Sequence, residues 1–138
     1  MRGRADPKLQ AMSRVPLFAG LSQRDLGRIA RLADEVDIPA GQSLTREGET
    51  GREFFVLLGG EADVRRGGRK LRTLGAGDIV GEIALLSDVP RTATVTARTD
   101  LHALLLTARA FRQLLRDEPR IQLKVLQTLA DRVATLER

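Results

Sequence analysis

A mainly β fold is predicted for this 138-residue chain: an antiparallel jelly-roll β-barrel with an N-terminal helix and two C-terminal helices. Three observations point there. Ten of the 13 glycines fall between Gly41 and Gly81, where they punctuate short apolar segments as tight turns punctuate strands. The stretch TATVTAR at Thr92–Arg98 alternates and is rich in β-branched residues, which suits a pleated, half-buried surface. Helical periodicity is confined to the two ends of the chain.

In chain order, a helical segment is expected over about residues 8–34. Ser22 with Asp25 three positions later approximates a capping box, and Leu26, Ile29 and Leu32 form one apolar stripe. The barrel is expected over about 35–107. Its strands are read at Glu35–Ile38, Ser43–Thr45, Glu53–Leu58, Glu61–Arg66, Lys70–Leu74, Asp78–Val80, Thr92–Arg98 and Leu101–Thr107. Many short antiparallel strands of this kind close into a barrel or jelly roll. The basic run RRGGRK at Arg65–Lys70 has glycines at its centre and reads as a solvated hairpin tip. Thr107 suits the N-cap of a helix that stops before Pro119. Pro119 then opens a last helix, and the two helices together occupy about 108–138. The whole chain, 1–138, is expected to be one domain.

Composition narrows the functions. There is no cysteine, which removes disulfides and thiolate chemistry, and the single His102 leaves no basis for a metal site or a histidine-dependent catalytic set. No enzyme is expected, and no cofactor. No apolar run approaches the roughly 20 residues of a membrane span, and the charged start is not a secretory signal, so a cytoplasmic setting is expected. The net charge of +5 sits at the ends. Residues 41–107 carry nine basic and nine acidic groups, against seven and five in 1–40 and seven and four in 108–138. With no Trp or Tyr and four Phe, stacking platforms for bases are scarce, and direct nucleic-acid binding is not expected.

The chemistry concentrates in GEIALLSDVPRTATV, Gly81–Val95. Gly75, Gly77 and Gly81 allow close backbone approach to a ligand. Glu82 opens EIALLS, read as a single helical turn whose N–H groups suit a phosphate. Arg91 follows Pro90 and can hold a phosphate through two parallel hydrogen bonds, and Thr92 adds an N–H and a hydroxyl. Glycines, a carboxylate for ribose hydroxyls, free amides and then Arg-Thr together describe a pocket for a sugar phosphate carrying an apolar-faced base.

The same stretch resembles the phosphate-binding cassette of the cyclic nucleotide-binding domain family, and GREFFVLLGGEADV and LGAGDIVGE resemble that family's barrel strands. The resemblance covers nearly the whole chain. It implies a cAMP or cGMP sensor of the kind found in bacterial cAMP-responsive activators, regulatory subunits of cyclic-nucleotide-dependent kinases and cyclic-nucleotide-gated channels. By that resemblance Glu82 accepts from the ribose 2′-hydroxyl and Arg91 neutralises the cyclic phosphate. The amides around Ile83, Ala84 and Thr92 complete the cradle, with Val80, Gly81 and Ala93 beside them. The last helix covers the purine, with Arg132 assigned a polar contact. Thr92 matches a position whose hydroxyl lets some members hold cGMP, and channels that bind both nucleotides also carry Thr there, so the base stays open. Three departures stand out: Val80 replaces an aromatic common before Gly-Glu, no aromatic follows Phe111 to stack on the base, and no effector segment is recognisable in the chain.

Alternatives remain at this stage. The final helix has an apolar face, Leu123, Leu126, Ala130, Val133 and Leu136, that could pair with a second copy or simply cover the barrel. A barrel of this fold could serve as a ligand-free scaffold or dimerisation module, or as the regulatory piece of a DNA-binding transcription factor or channel. Effector domains or proteins are expected outside this chain.

Overall fold

The computed structural model describes residues 7–136. The amino-terminal part holds two short helices, α1 (Pro7–Ser13) and α2 (Gln23–Ala30), joined through a 3-10 turn at Pro16–Phe18. The single N-terminal helix read from the sequence is thus three helical pieces. Pro16 cannot continue α1, and Gly20, at φ +86°, turns the chain before α2. Ser22 caps α2 as expected, its hydroxyl accepting from the Asp25 N–H at 3.1 Å.

Eight strands follow: β1 (Asp34–Ile38), β2 (Ser43–Thr45), β3 (Glu53–Gly59), β4 (Ala62–Arg66), β5 (Arg69–Leu74), β6 (Ile79–Val80), β7 (Thr94–Ala97) and β8 (Leu101–Thr107). They form two antiparallel four-stranded sheets, ordered β1-β8-β3-β6 and β2-β7-β4-β5, face to face as in a jelly roll. The expected β7 was longer at both ends: Thr92 and Ala93 precede the strand, and Arg98 follows it. Gly67 and Gly68, both at positive φ, make the predicted hairpin tip.

The apolar pattern of β3 explains the layering. Phe55 and Leu57 point between the sheets, where they meet Val64, Val95, Ala97 and Ala103. Phe54 and Val56 point the other way, against Phe18, Ile29 and Phe111 from the helical side. Both faces are buried, so the strand reads as an unbroken FFVLL instead of an alternation. Phe18 sits edge-on to Phe54, with ring centroids 6.0 Å apart. Full burial of each such ring contributes about 2–3 kcal/mol.

Helix α3 (Ala108–Asp117) starts at Thr107, whose hydroxyl accepts from the Ala110 N–H at 3.1 Å. It ends at Glu118, where the backbone leaves the helical region before Pro119 opens α4 (Pro119–Leu136). The first half of α4 is locked to the helical layer. Ile121 and Val125 are buried, Arg120 pairs with the buried Asp25 at 2.6 Å, Arg28 pairs with Glu118, and the Thr128 hydroxyl donates to the Ala19 carbonyl at 2.9 Å. No helix among the described residues is long and apolar enough to cross a membrane. Residues 137–138 of the expected last helix, and 1–6 of the expected single domain, lie outside the described residues.

Candidate functional site

The site grows out of the end of β6. After Val80 the chain passes through Gly81 at φ +77°, a conformation that costs a side-chain-bearing residue 1 kcal/mol or so. The Glu82–Leu85 turn follows as a 3-10 helix, the single turn read from the sequence. Ala84 and Leu85 are buried, and Leu85 anchors the turn in the helical core. Ile83 is not packed inward, being 53% exposed. The Ala84 N–H donates to the Gly81 carbonyl at 3.0 Å, so this amide is engaged within the turn.

Arg91 is fixed from the opposite side. Its backbone N–H donates to the Glu49 carbonyl at 2.8 Å and its carbonyl accepts from the Gly48 N–H at 2.9 Å, while Pro90 bridges to Thr50. The side chain then runs across Gly51 and reaches Gly81; a Cβ on either glycine would collide with the guanidinium. Nη2 donates to the Glu53 carbonyl at 2.5 Å. Burial holds the Arg91 guanidinium below its ordinary pKa, and the Glu53 carboxylate opposes that shift.

Two groups stand out. Among the described residues, Glu82 Oε2 and Arg91 Nη1 are the buried side-chain polar atoms that have no hydrogen-bond partner within the protein. Buried polar groups are almost always partnered, so two orphans of opposite charge in one cassette need an explanation. The other Glu82 oxygen, Oε1, lies 3.7 Å from Arg132 Nη2 on α4. A cleft of about 130 Å³ opens beside Arg91, with Gly81, Thr92 and Ala93 at its polar end and Val64, Leu74 and Val95 along its apolar wall. Its make-up suits an anion attached to a flat, partly apolar body. A larger hollow of about 520 Å³ lies between α4 and the Pro16–Gly20 segment, with Arg132 on its rim.

The structure therefore brings Val80, Gly81, Arg91, Thr92 and Ala93 to one cleft, with Glu82 adjoining it in the cassette turn and Arg132 reaching Glu82 from α4. Sequence reasoning missed three participants. Gly51 is the track along which Arg91 travels, Glu53 supplies the carbonyl that ends its reach, and Arg72 joins the lining because it stands opposite Val64 in the β4–β5 register. A glycine two residues before a strand was a weak signal for the first; the others follow from pairing alone. Thr45 also lines the cleft, and its hydroxyl donates to the Ala93 carbonyl at 3.0 Å.

A family model described as the cyclic nucleotide-binding domain matches residues 35–118. The chain belongs to that family. The cyclic nucleotide-binding domain here is 41% identical over 102 residues to the cAMP-dependent protein kinase regulatory subunit of Eremothecium gossypii, a match covering 73% of this chain and 22% of that protein. It thus spans less than a quarter of that relative's length. The N-terminal domain of a transcriptional regulator from Streptomyces coelicolor A3(2) has the same fold, with a TM-score of 0.83, 29% identity and 92% of each chain covered. The regulatory domain of Toxoplasma gondii PKA, solved with cAMP, superposes with a TM-score of 0.72 at 28% identity over 83% of this chain and 47% of that one. The matched family model describes a ligand-binding domain, and these relatives are named as a regulatory subunit, a transcriptional regulator and a regulatory domain.

Proposed function

We propose that this domain is a sensor for a cyclic mononucleotide, with cAMP the first candidate and cGMP the second. The observation that carries the reading is the pair of buried, unpartnered atoms, Arg91 Nη1 and Glu82 Oε2. A cyclic phosphate supplies acceptors for the guanidinium, and a ribose 2′-hydroxyl supplies a donor for the carboxylate, so one small ligand satisfies both. The Thr92 and Ile83 amides and the Gly81 backbone complete the cradle, with Val80, Ala84 and Ala93 packed beside it. The preference for cAMP rests on relatives named for it or solved with it.

Ligand binding is read out by α4. Arg132 neighbours the carboxylate that would take the ribose, so nucleotide and helix compete for or share Glu82, and the ligand biases the helix only by its differential affinity for the two arrangements. Leu123, Leu126 and Val133 are each more than half exposed at helical spacing, an apolar stripe on which a second copy of the chain or an effector outside it would dock. The setting is cytoplasmic, where such ligands signal.

A cyclic mononucleotide has about 22 heavy atoms, and roughly 0.3 kcal/mol for each gives about −7 kcal/mol, a Kd of order 10 μM. The test is calorimetric titration of the purified chain with cAMP, cGMP and 5′-AMP. Binding of a cyclic nucleotide without binding of 5′-AMP is expected, and the two cyclic heats rank the bases. No heat and no thermal stabilisation with any of them would leave the domain a scaffold.

A further inference from the structure

A second charged site lies on the far side of the cassette. The groove of about 500 Å³ where β3 begins and α3 begins is lined by Arg52, Arg109, Arg112 and Arg116 together with Glu53 and Asp88. The Ala108 N–H donates to the Arg52 carbonyl at 2.8 Å, which holds the two starts together. Arg109, Arg112 and Arg116 follow at i, i+3 and i+7 and therefore share one face of α3. Arg112 is partly occupied: its Nε donates to the Leu85 carbonyl at 3.2 Å and Nη2 lies 3.9 Å from Asp88. Arg116 donates to Gln113 at 3.1 Å. Arg52 and Arg109 have no ion-pair partner among the described residues, and both are exposed.

Four arginines at one groove repel one another, and neither the sensor reading nor the core explains their convergence. We propose that this groove docks an acidic peptide segment of a partner protein. The arginines span seven residues of helix, about 10 Å at 1.5 Å per residue, a distance that one small anion cannot bridge and that about three extended peptide residues match. Guanidinium groups pair with carboxylates through two parallel hydrogen bonds. Glu53 and Asp88 decide between a peptide and a nucleic acid. They place two carboxylates among the arginines, where a peptide can offer N–H donors and a phosphate backbone can offer none. The docking does not depend on the nucleotide reading, since none of the four arginines lines the Arg91 cleft.

The experiment is fluorescence anisotropy on the full chain at an ionic strength of about 0.15 M. The probes are a labelled peptide of alternating glutamate and serine, its glutamine counterpart, and a short DNA duplex. Binding of the glutamate peptide, absent for the glutamine peptide and weaker for the duplex, is the expected result. Arg109→Glu with Arg116→Glu then raises Kd on the order of tenfold or more, while Arg65→Glu with Arg69→Glu at the hairpin tip leaves it within about twofold. Melting curves check both pairs, and the milder Arg109→Gln with Arg116→Gln repeats the test if the first pair unfolds. Four results overturn the proposal: no binding of the glutamate peptide, equal binding of the glutamine peptide, tighter binding of the duplex, or equal loss in the hairpin-tip pair.

Discussion

The cassette and the far half of α4 meet at Glu82, yet they are held in opposite ways. Arg91 is pinned by two backbone hydrogen bonds to the Gly48–Glu49 segment, by a side-chain bond to the Glu53 carbonyl and by two glycines that leave it a channel. Among the described residues, the helix is pinned over its first eleven positions, through Ile121, Val125, Arg120, Thr128 and the partly buried Leu129. After Leu129, the one polar contact leaving α4 among the described residues is Arg132 to Glu82 at 3.7 Å, and Val133 and Leu136 stand 54% and 84% exposed. On the proposed reading, the contrast separates a firmly held receptor from a loosely held reporter. Affinity should therefore be lost through the cassette, and response through the helix.

The largest effect tests the receptor. Arg91→Ala removes the cation whose buried Nη1 has no partner within the protein and should weaken cyclic-nucleotide binding by about 2–5 kcal/mol, measured by calorimetry. A loss below threefold would falsify the assignment of Arg91 to the phosphate. Gly51→Ala should come next. Its methyl group takes the path of the Arg91 side chain, whose far end can move, so the fold survives while the guanidinium is displaced. We expect affinity to fall by about 1–3 kcal/mol, the scale of a hydrogen bond to a charged group, with little change in Tm. A large drop in Tm with unchanged affinity would mean that Gly51 serves the backbone and not the guanidinium.

Arg132→Ala tests the reporter and should do less to binding. The pair is long at 3.7 Å and Arg132 is half exposed, so its loss should cost about 1 kcal/mol or less. Amide hydrogen exchange over residues 129–136 should quicken in the ligand-free variant, because the helix loses the polar tie of Arg132 to the cassette. A more than tenfold loss of affinity would place α4 inside the receptor and dissolve the contrast.

How far this was legible in the sequence depends on the range of the contacts. Glycine spacing, the Thr92–Arg98 alternation and the caps at Ser22 and Thr107 are local signals, and the strands and helix starts they predicted are in place to within one or two residues. The cassette was legible because its residues are contiguous. Gly51, Glu53 and Arg72 were not, because each enters only through a partner elsewhere in the chain: the path of Arg91, its terminus, and a cross-strand register with Val64. The apolar stripe Leu26, Ile29 and Leu32 and the Ser22 cap marked α2, but they gave no signal for the separate short pieces at Pro7–Ser13 and Pro16–Phe18, which Pro16 and Gly20 set apart from it. The four-arginine groove escaped for the same reason as Gly51, since Arg52 and α3 meet only in the folded chain.

The smallest effect lies farthest from the cleft and tests whether the receptor's rigidity extends to the edge of its sheet. His102 on β8 contacts Asp37 at 2.9 Å and Glu35 at 3.0 Å, both on the edge strand β1. The hydrogen bond to Asp37 is the main cause holding its pKa above the usual value; desolvation opposes it, and Glu35 adds to it. A raised pKa means that the protonated ring favours the folded state. That contribution is complete below the unfolded value of about 6.5 and is lost as pH rises through the folded value. With one histidine in the chain, its imidazole resonances report the midpoint directly, which should lie above that of a model peptide and fall in Asp37→Asn. The group is exposed, so the accompanying change in stability should be small. Nucleotide affinity measured across the same pH range should stay flat if the cassette is held independently of β1. An affinity that follows the His102 midpoint would show the sheet edge and the cassette moving as one body, and the receptor would then extend well beyond Arg91 and Glu82.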